Sequence, residues 1–175
     1  MSGDTDTLLQ IRHLGFAYGK RQLWANVDFD VPAGSVTAIL GNNGTGKSTL
    51  LNCIGGILQP DTGSVFLNGE DLLKLPRRER ARRVGYVAQH FETSGASVYD
   101  TVLLGRLPYF YSGPSPEDHE AVERVLHDLG IASWADRSAK TLSGGEAQKV
   151  MLARAIVQQT DVLLLDEPTA SLDLG

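Results

Sequence analysis

Apolar and polar positions alternate through the first third of the chain, and the runs LLQIRHLGFAY, VDFDV and SVTAIL each predict a β-strand. PAGS supplies the turn between the last two, and GSVFLNG predicts a further short strand that ends on an Asn68-Gly69 turn. The period then lengthens. TLLNCIGGIL predicts a helix that stops before Pro60, RVGYVAQ is a short β-rich run, and FETSGAS reads as a loop. Ser115, Pro116 and Asp118 form a helix start of N-cap, first-turn proline and carboxylate. Ala121, Val122, Val125, Leu126 and Leu129 then share one face until Gly130 ends the helix. A second helix is predicted from about Gly144 to Gln158, and DVLLLDEP is the continuous apolar run of a fully buried parallel strand.

This order places a mostly helical insert, residues 90–140, between two α/β pieces, residues 1–89 and 141–175. A length of 175 residues with 42% hydrophobic content suits one globular domain. A formal charge of -5 speaks against a nucleic-acid partner, and the local exception is PRRERARRV. Its arginines 77, 78, 80, 82 and 83 read as a solvated helix face in preference to a head-group or partner contact. Cys53 is the only cysteine, which excludes an internal disulfide and leaves core packing as its role. The four histidines have no metal-ligand spacing. No apolar run is long enough to cross a bilayer and MSGDTDT lacks the order of a signal peptide, so a cytosolic location is expected.

Gly41 to Ser48 fits G-x-x-x-x-G-K-[ST], which arises by chance in roughly one in a hundred chains of this length. The chemistry explains the residue types. Gly41, Gly44 and Gly46 let backbone amides converge on phosphate oxygens, Lys47 supplies a point charge, and Ser48 offers a hydroxyl to Mg²⁺. VLLLDEPT delivers Asp166 and Glu167 to the C-terminal edge of a strand, where parallel sheets bind ligands. Asp166 is suited to hold the metal, and Glu167 to polarise the water that attacks a γ-phosphate.

A second glycine pair stands far downstream, in LSGGEAQ. Ser143 and Glu146 make a capping box, yet Gly144 and Gly145 each cost up to about 1 kcal/mol against alanine in a helix. Bare backbone there makes an anion site from the first amides and the Ser143 hydroxyl. One triphosphate is already satisfied by the upstream loop, so the second site is expected to serve an ATP held by another subunit.

From about Leu9 onward the sequence resembles an ATP-binding-cassette (ABC) ATPase, in which two cassettes pair head to tail around two ATPs. GNNGTGKST resembles the Walker A loop, which implies nucleotide contacts from Gly41, Asn42, Asn43, Gly44, Thr45, Gly46, Lys47, Ser48 and Thr49. LSGGE resembles the signature, with Ser143, Gly144 and Gly145 on the partner's ATP, and VLLLDE the Walker B strand. Tyr18 matches the aromatic that stacks on adenine, although alone it would read as a core aromatic. Gln89 matches the Q-loop glutamine that contacts the metal or the attacking water, and SLD at Ser171 to Asp173 resembles the D-loop. The resemblance implies a P-loop NTPase fold of parallel α/β core, antiparallel β subdomain and helical insert. It also implies catalysis by Glu167, Gln89 and Lys47, Mg²⁺ held by Ser48, Gln89 and Asp166, and a homodimer acting on membrane permease subunits at the cytoplasmic face.

The sequence departs from the family pattern at two points. Glu146 stands where the signature usually has glutamine, and is expected to turn back onto Ser143. The family's fold continues past the D-loop to a switch histidine, a place that none of His13, His90, His119 and His127 takes. The strand that flanks the Walker A strand in that fold is likewise not among these residues, so VTAIL is expected to be an unpaired edge. TVLLGRLPYF and LPRRERARRVGYVAQ look like the iron-siderophore, haem and cobalamin import class, in which a substrate-binding protein delivers the solute to the permease. A non-hydrolysing nucleotide-binding module, or a non-transport ABC ATPase, is the alternative.

Overall fold

The computed structural model describes residues 7–89 and 95–167. His90 and the D-loop residues Ser171 to Asp173 therefore lie outside the described residues. The chain divides between Arg80 and Ala81 into two compact units.

The first unit is built on an antiparallel sheet of order β2-β1-β3-β4, formed by β1 (Thr7–Tyr18), β2 (Arg21–Pro32), β3 (Thr62–Leu67) and β4 (Glu70–Asp71). Its buried face carries Leu9, Ile11, Leu14, Phe16, Val65 and Leu67. The buried positions of β1 change phase between Ile11 and Leu14, because His13 sits at φ 50° and Asn26 opposite at φ 55°, with the register shifted between them. The bulge is held by the His13 amide donating to Asp28 Oδ1 at 2.9 Å and by a 2.9 Å bond between His13 Nδ1 and Asn26 Oδ1. Asn68 and Gly69, at φ 50° and 79°, form the expected tight turn into β4.

SVTAIL does not form the predicted strand. No strand among the described residues pairs with it, and Val36 and Leu40 are 101% and 89% exposed. A segment without a ladder partner leaves its backbone to water, so among the described residues VTAIL is neither the predicted strand nor a sheet edge.

Helix α1 (Lys47–Ile54) follows, shorter than the run TLLNCIGGIL predicted. Gly56 adopts φ 64° and the Ile57 amide reaches back to Asn52 O at 2.8 Å, which closes the helix end as a left-handed cap. Cys53 is fully buried within α1, and burial, with Asp61 second, pushes its thiol up to about 11. Helix α2 (Arg77–Arg83) spans the boundary between the units.

The second unit contains a parallel pair, β5 (Val84–Val87) with β6 (Val162–Leu165), in register Val84↔Val162 to Val87↔Leu165. β6 is not the fully buried strand predicted. Only Leu164 is buried, while Leu163 and Leu165, which point to the opposite face, are 37% and 39% exposed, so one face of β6 alone is covered among the described residues.

The core of this unit is helical. It joins Val98 and Val102 of α3 (Val98–Leu103), Val122, Val125 and Leu126 of α4 (Pro116–Asp128), Ile131, and Val150, Ala153 and Val157 in or beside α5 (Gly144–Ile156). The predicted box at Ser115 is present: the Ser115 amide donates to Asp118 Oδ2 at 2.9 Å and the Asp118 amide to Ser115 Oγ at 3.3 Å. Gly130, at φ 65°, ends the helix as expected.

Candidate nucleotide site

The loop before α1 turns through Gly44 and Gly46, at φ 78° and 95°. Glycine is required at 46 twice over: the conformation disfavours a side chain, and a Cβ would lie 2.5 Å from Leu23 Cδ2 and 2.9 Å from Trp24 Nε1. Trp24 Nε1 is buried without a hydrogen-bond partner there. The Thr45 hydroxyl donates to Asn42 O at 2.9 Å, which narrows the loop. Lys47 lies along it, with Nζ donating to the carbonyls of Gly41 at 2.9 Å and Asn42 at 3.1 Å. The first turn of α1 carries no acid, so its positive end faces the loop uncompensated by a carboxylate of its own.

Tyr18 closes β1 on the same unit. Its ring meets Phe16 edge-on at 4.9 Å, its hydroxyl is 3.4 Å from Thr49 Oγ1, and it is 57% exposed. It is thus not a core aromatic.

In the second unit, β6 delivers two neighbouring carboxylates to different surroundings. Asp166 is 6% exposed, accepts a 3.1 Å bond from the Tyr86 hydroxyl at Oδ2, and donates its amide to Val87 O at 3.0 Å. Glu167 is exposed, and its φ of 47° turns it away from the strand direction. Gln89, just past β5, donates through Nε2 to Glu167 Oε2 at 2.5 Å. The parallel pairing of β5 with β6 is what brings Gln89, Asp166 and Glu167 together.

Ser143 caps α5 and places Gly144 and Gly145 in its first turn. The Glu146 amide donates to Ser143 Oγ at 3.3 Å and Glu146 Oε2 accepts from the Ser143 amide at 2.9 Å, so Glu146 does turn back as expected. A methyl group at Gly145 would meet no atom within 4 Å, and its φ is not positive. Nothing in this chain's own packing demands a glycine there. Arg137 also grips Glu146, with 2.8 and 3.4 Å bonds to its two oxygens. Its guanidinium is the first cause, ahead of the Ser143 amide, that holds the Glu146 carboxyl down at about 2. Sequence reasoning missed Arg137, whose nine-residue separation from Glu146 follows no helical or strand period.

The arginine-rich α2 has no buried residue, with Arg77, Arg78 and Arg82 exposed, as its expected solvated face requires, and three of its arginines also fold back onto neighbouring groups. Arg80 donates to Gly56 O at 3.0 Å, Arg82 donates to Pro108 O at 2.9 Å and lies over the Tyr109 ring, and Arg83 pairs with Asp161 at 2.5 Å. Long side chains fold back wherever carbonyls and carboxylates of neighbouring segments lie within their reach.

A family model described as ABC transporter matches residues 24–170. The chain belongs to the ABC transporter family. An uncharacterized ABC transporter ATP-binding protein of Methanocaldococcus jannaschii is 46% identical over 95% of this chain and 66% of its own length. The ferric enterobactin transport ATP-binding protein of Escherichia coli is 39% identical over 98% of this chain and 65% of its own. The iron(3+)-hydroxamate import ATP-binding protein of Bacillus subtilis is 36% identical, over 95% and 63%. The chain therefore spans 63–66% of the length of these curated relatives.

Among solved structures, a metal-chelate type ABC transporter in an inward-facing conformation superposes with a TM-score of 0.81 at 34% identity, covering 97% of this chain and 63% of that one. The cbiO1 subunit of Clostridium perfringens, part of the cbiONQ ABC transporter complex, gives 0.82 at 32%, covering 96% and 68%. The fold is accordingly the P-loop ABC ATPase fold.

The residues present fit the chemistry of Mg²⁺. Within the second unit the Asp166 carboxylate and the Gln89 amide oxygen are hard donors, as is the Ser48 hydroxyl within the first, and no cluster of three acids, histidines or cysteines exists among the described residues to cage an ion alone. A cation held by so few protein ligands takes its remaining ligands from phosphates and water.

Proposed function

We propose that this chain is the ATP-binding and hydrolysing cassette of an ABC importer, taking up an iron-siderophore, haem or cobalamin-like solute. The observation that carries the reading is the start of α5: Gly144 and Gly145 present amides beside the Ser143 hydroxyl, and Gly145 answers to no steric need within the chain. A ligand from outside supplies the need. The solute class is supported by relatives named for ferric enterobactin and iron-hydroxamate transport.

In this reading the amides of Gly41 to Gly46, with Lys47, hold the β- and γ-phosphates of ATP, Asn42, Asn43, Thr45 and Thr49 line the loop, and the Tyr18 ring stacks on the base. Ser48, Asp166 and Gln89 would hold Mg²⁺, which would supply neutralisation of the phosphate charge. Ser143, Gly144 and Gly145 of a second copy complete the γ-phosphate contacts, so that ATP closes the dimer. Glu167 accepts a proton from the attacking water while Gln89 holds the carboxylate in place. Hydrolysis reopens the dimer, and the cycle drives permease subunits from the cytoplasmic face of the membrane, with a substrate-binding protein feeding them. The helical insert, residues 90–140, is the subdomain that moves with the signature.

The shared site is tested by mixing full-length Lys47→Ala subunits with Ser143→Arg subunits. Each is expected to be inactive alone, and the mixture to regain ATPase activity through the one site per dimer with both halves intact. A mixture no more active than its components would show that each chain works alone.

A further inference from the structure

We propose that Arg137 is a positioning residue for the phosphate-facing start of α5, holding the Glu146 carboxylate back from the amides of Gly144 and Gly145; the inference rests on the function proposed above for those amides. The problem it solves is electrostatic. An acid in the first turn favours the helix through its macrodipole, but it competes with, and repels, any phosphate that approaches the same turn. Glu146 is such an acid.

Both of its oxygens are committed. Oε2 accepts from the Ser143 amide at 2.9 Å and from the second Arg137 nitrogen at 3.4 Å, and Oε1 accepts from the first Arg137 nitrogen at 2.8 Å. The fork fixes the plane of the carboxylate as well as cancelling its charge. Ser143 Oγ is engaged as an acceptor by the Glu146 amide at 3.3 Å, which leaves its O–H as the group available to donate.

Arg137 is itself braced. Its guanidinium carbon lies 5.5 Å from the Trp134 ring centroid, its amide donates to Trp134 O at 2.8 Å, and its carbonyl accepts the first amide of α3, from Val98, at 2.9 Å. Just after it Ala139 bonds back to Ala96 and Ser138 bridges to Ser97, and just before it Ala135 O accepts from the Tyr99 amide at 3.0 Å. The loop that carries Arg137 is therefore stitched to the start of α3, while its side chain ends on the start of α5. Lys149 Nζ, 5.9 Å from the Trp134 ring, is a second cation beside that ring. Without Arg137 the charge there falls by one, and a carboxylate released from its fork stands within the first turn.

The experiment uses the full-length protein in a Glu167→Gln background, with ATP-driven dimerisation followed by light scattering as ATP is titrated. Arg137→Met is expected to raise the ATP concentration for half-dimerisation about tenfold, the size of a nearby unscreened charge. Adding Glu146→Gln is expected to bring it back to within about twofold of Glu146→Gln alone, because no carboxylate then remains to be held. If Arg137 merely braces the fold, removing its partner repairs nothing, and a double variant that stays with Arg137→Met overturns the inference. Arg137→Lys keeps the charge but loses the fork, and is expected to shift the midpoint by about half as much, on a logarithmic scale, as Arg137→Met. A shift as large as that of methionine overturns it too, whether or not the methionine variant folds. A parent protein that never dimerises with ATP overturns the shared-site reading, and this inference with it. A responsive parent whose variants fail to separate overturns this inference alone.

Discussion

Gln89 Nε2 and Glu167 Oε2 are 2.5 Å apart, so the side chain that ends the run after β5 directly orients the carboxylate that follows β6. The backbone at Glu167, at φ 47°, turns it outward while Asp166 stays buried beneath Tyr86. Two adjacent acids are thereby given different surroundings. Glu167→Gln in the full-length protein is expected to lower ATP turnover by about a hundredfold or more, with ATP-bound dimers accumulating in light scattering. Gln89→Ala is expected to cost about tenfold in kcat with little change in KM for ATP, the pattern of a lost orienting contact rather than a lost binding one.

The buried pair Arg106–Asp118 ties the segment after α3 to the cap of α4. Arg106 Nε donates to Asp118 Oδ1 at 2.8 Å, and its NH1 donates to Val157 O at 3.0 Å and Gln159 Oε1 at 2.9 Å, while the guanidinium lies 3.9 Å from the Tyr109 centroid. The side chains of the pair are only 8% and 3% exposed. Removing one partner strands the other, so Arg106→Met is expected to cost about 3–5 kcal/mol, read as a lower urea midpoint at unchanged slope.

The parts that were legible in the sequence are those written in local grammar. Ser115 with Asp118, Asn68 with Gly69, and Ser143 with Glu146 each carry their structural reason within four residues. The bulge at His13 is also written there, since Leu9 and Ile11 give way to Leu14 and Phe16, but the run reads as one unbroken strand until Asn26 and Asp28 are placed opposite. What stayed illegible depends on distant partners. VTAIL has the composition of a buried strand and stands exposed, because composition cannot supply a neighbour. The arginines of α2 are solvated as read, but the bonds of Arg80 and Arg82 to the carbonyls of Gly56 and Pro108 could not be read from the sequence. Of the candidate site, the loop, the carboxylates and the signature were readable as motifs. The 2.5 Å contact of Gln89 with Glu167 and the grip of Arg137 on Glu146 required the fold.

Acid should weaken the start of α5 over a defined range. The folded-state carboxyl of Glu146 is held down from 4.5 to about 2, so its contribution to stability is fully present above pH 4.5 and is lost as pH falls toward 2. Asp118 acts in the same direction. Burial alone would raise its carboxyl, but the Ser115 amide, the Arg106 guanidinium and the Ser115 hydroxyl together hold it below 3.8. Thermal midpoints measured from pH 6 down to about pH 3 are expected to fall less steeply for Glu146→Gln than for the unsubstituted protein, since that variant has no carboxyl to protonate. Parallel curves would mean that the fork on Glu146 does not form in solution.

Two glycines predict opposite outcomes from the same substitution. A Cβ at Gly105 would lie 2.1 Å from Arg154 O and 2.6 Å from Val157 Cγ1, and the first of these is backbone of α5, which cannot step aside without breaking its packing. Gly105→Ala is therefore expected to destabilise by about 1–3 kcal/mol or more, as overpacking does. At Gly145 the same methyl meets nothing within 4 Å in a helix, so Gly145→Ala is expected to stabilise by up to about 1 kcal/mol through the unfolded chain and helix propensity. If the amide is bare because a partner's phosphate must approach it, the stabilised variant pays in function: ATP-driven dimerisation weakens even as the thermal midpoint rises. The opposed signs are the discriminating feature. A Gly145→Ala protein that is more stable and closes around ATP as readily as before would leave the glycine without a ligand to explain it.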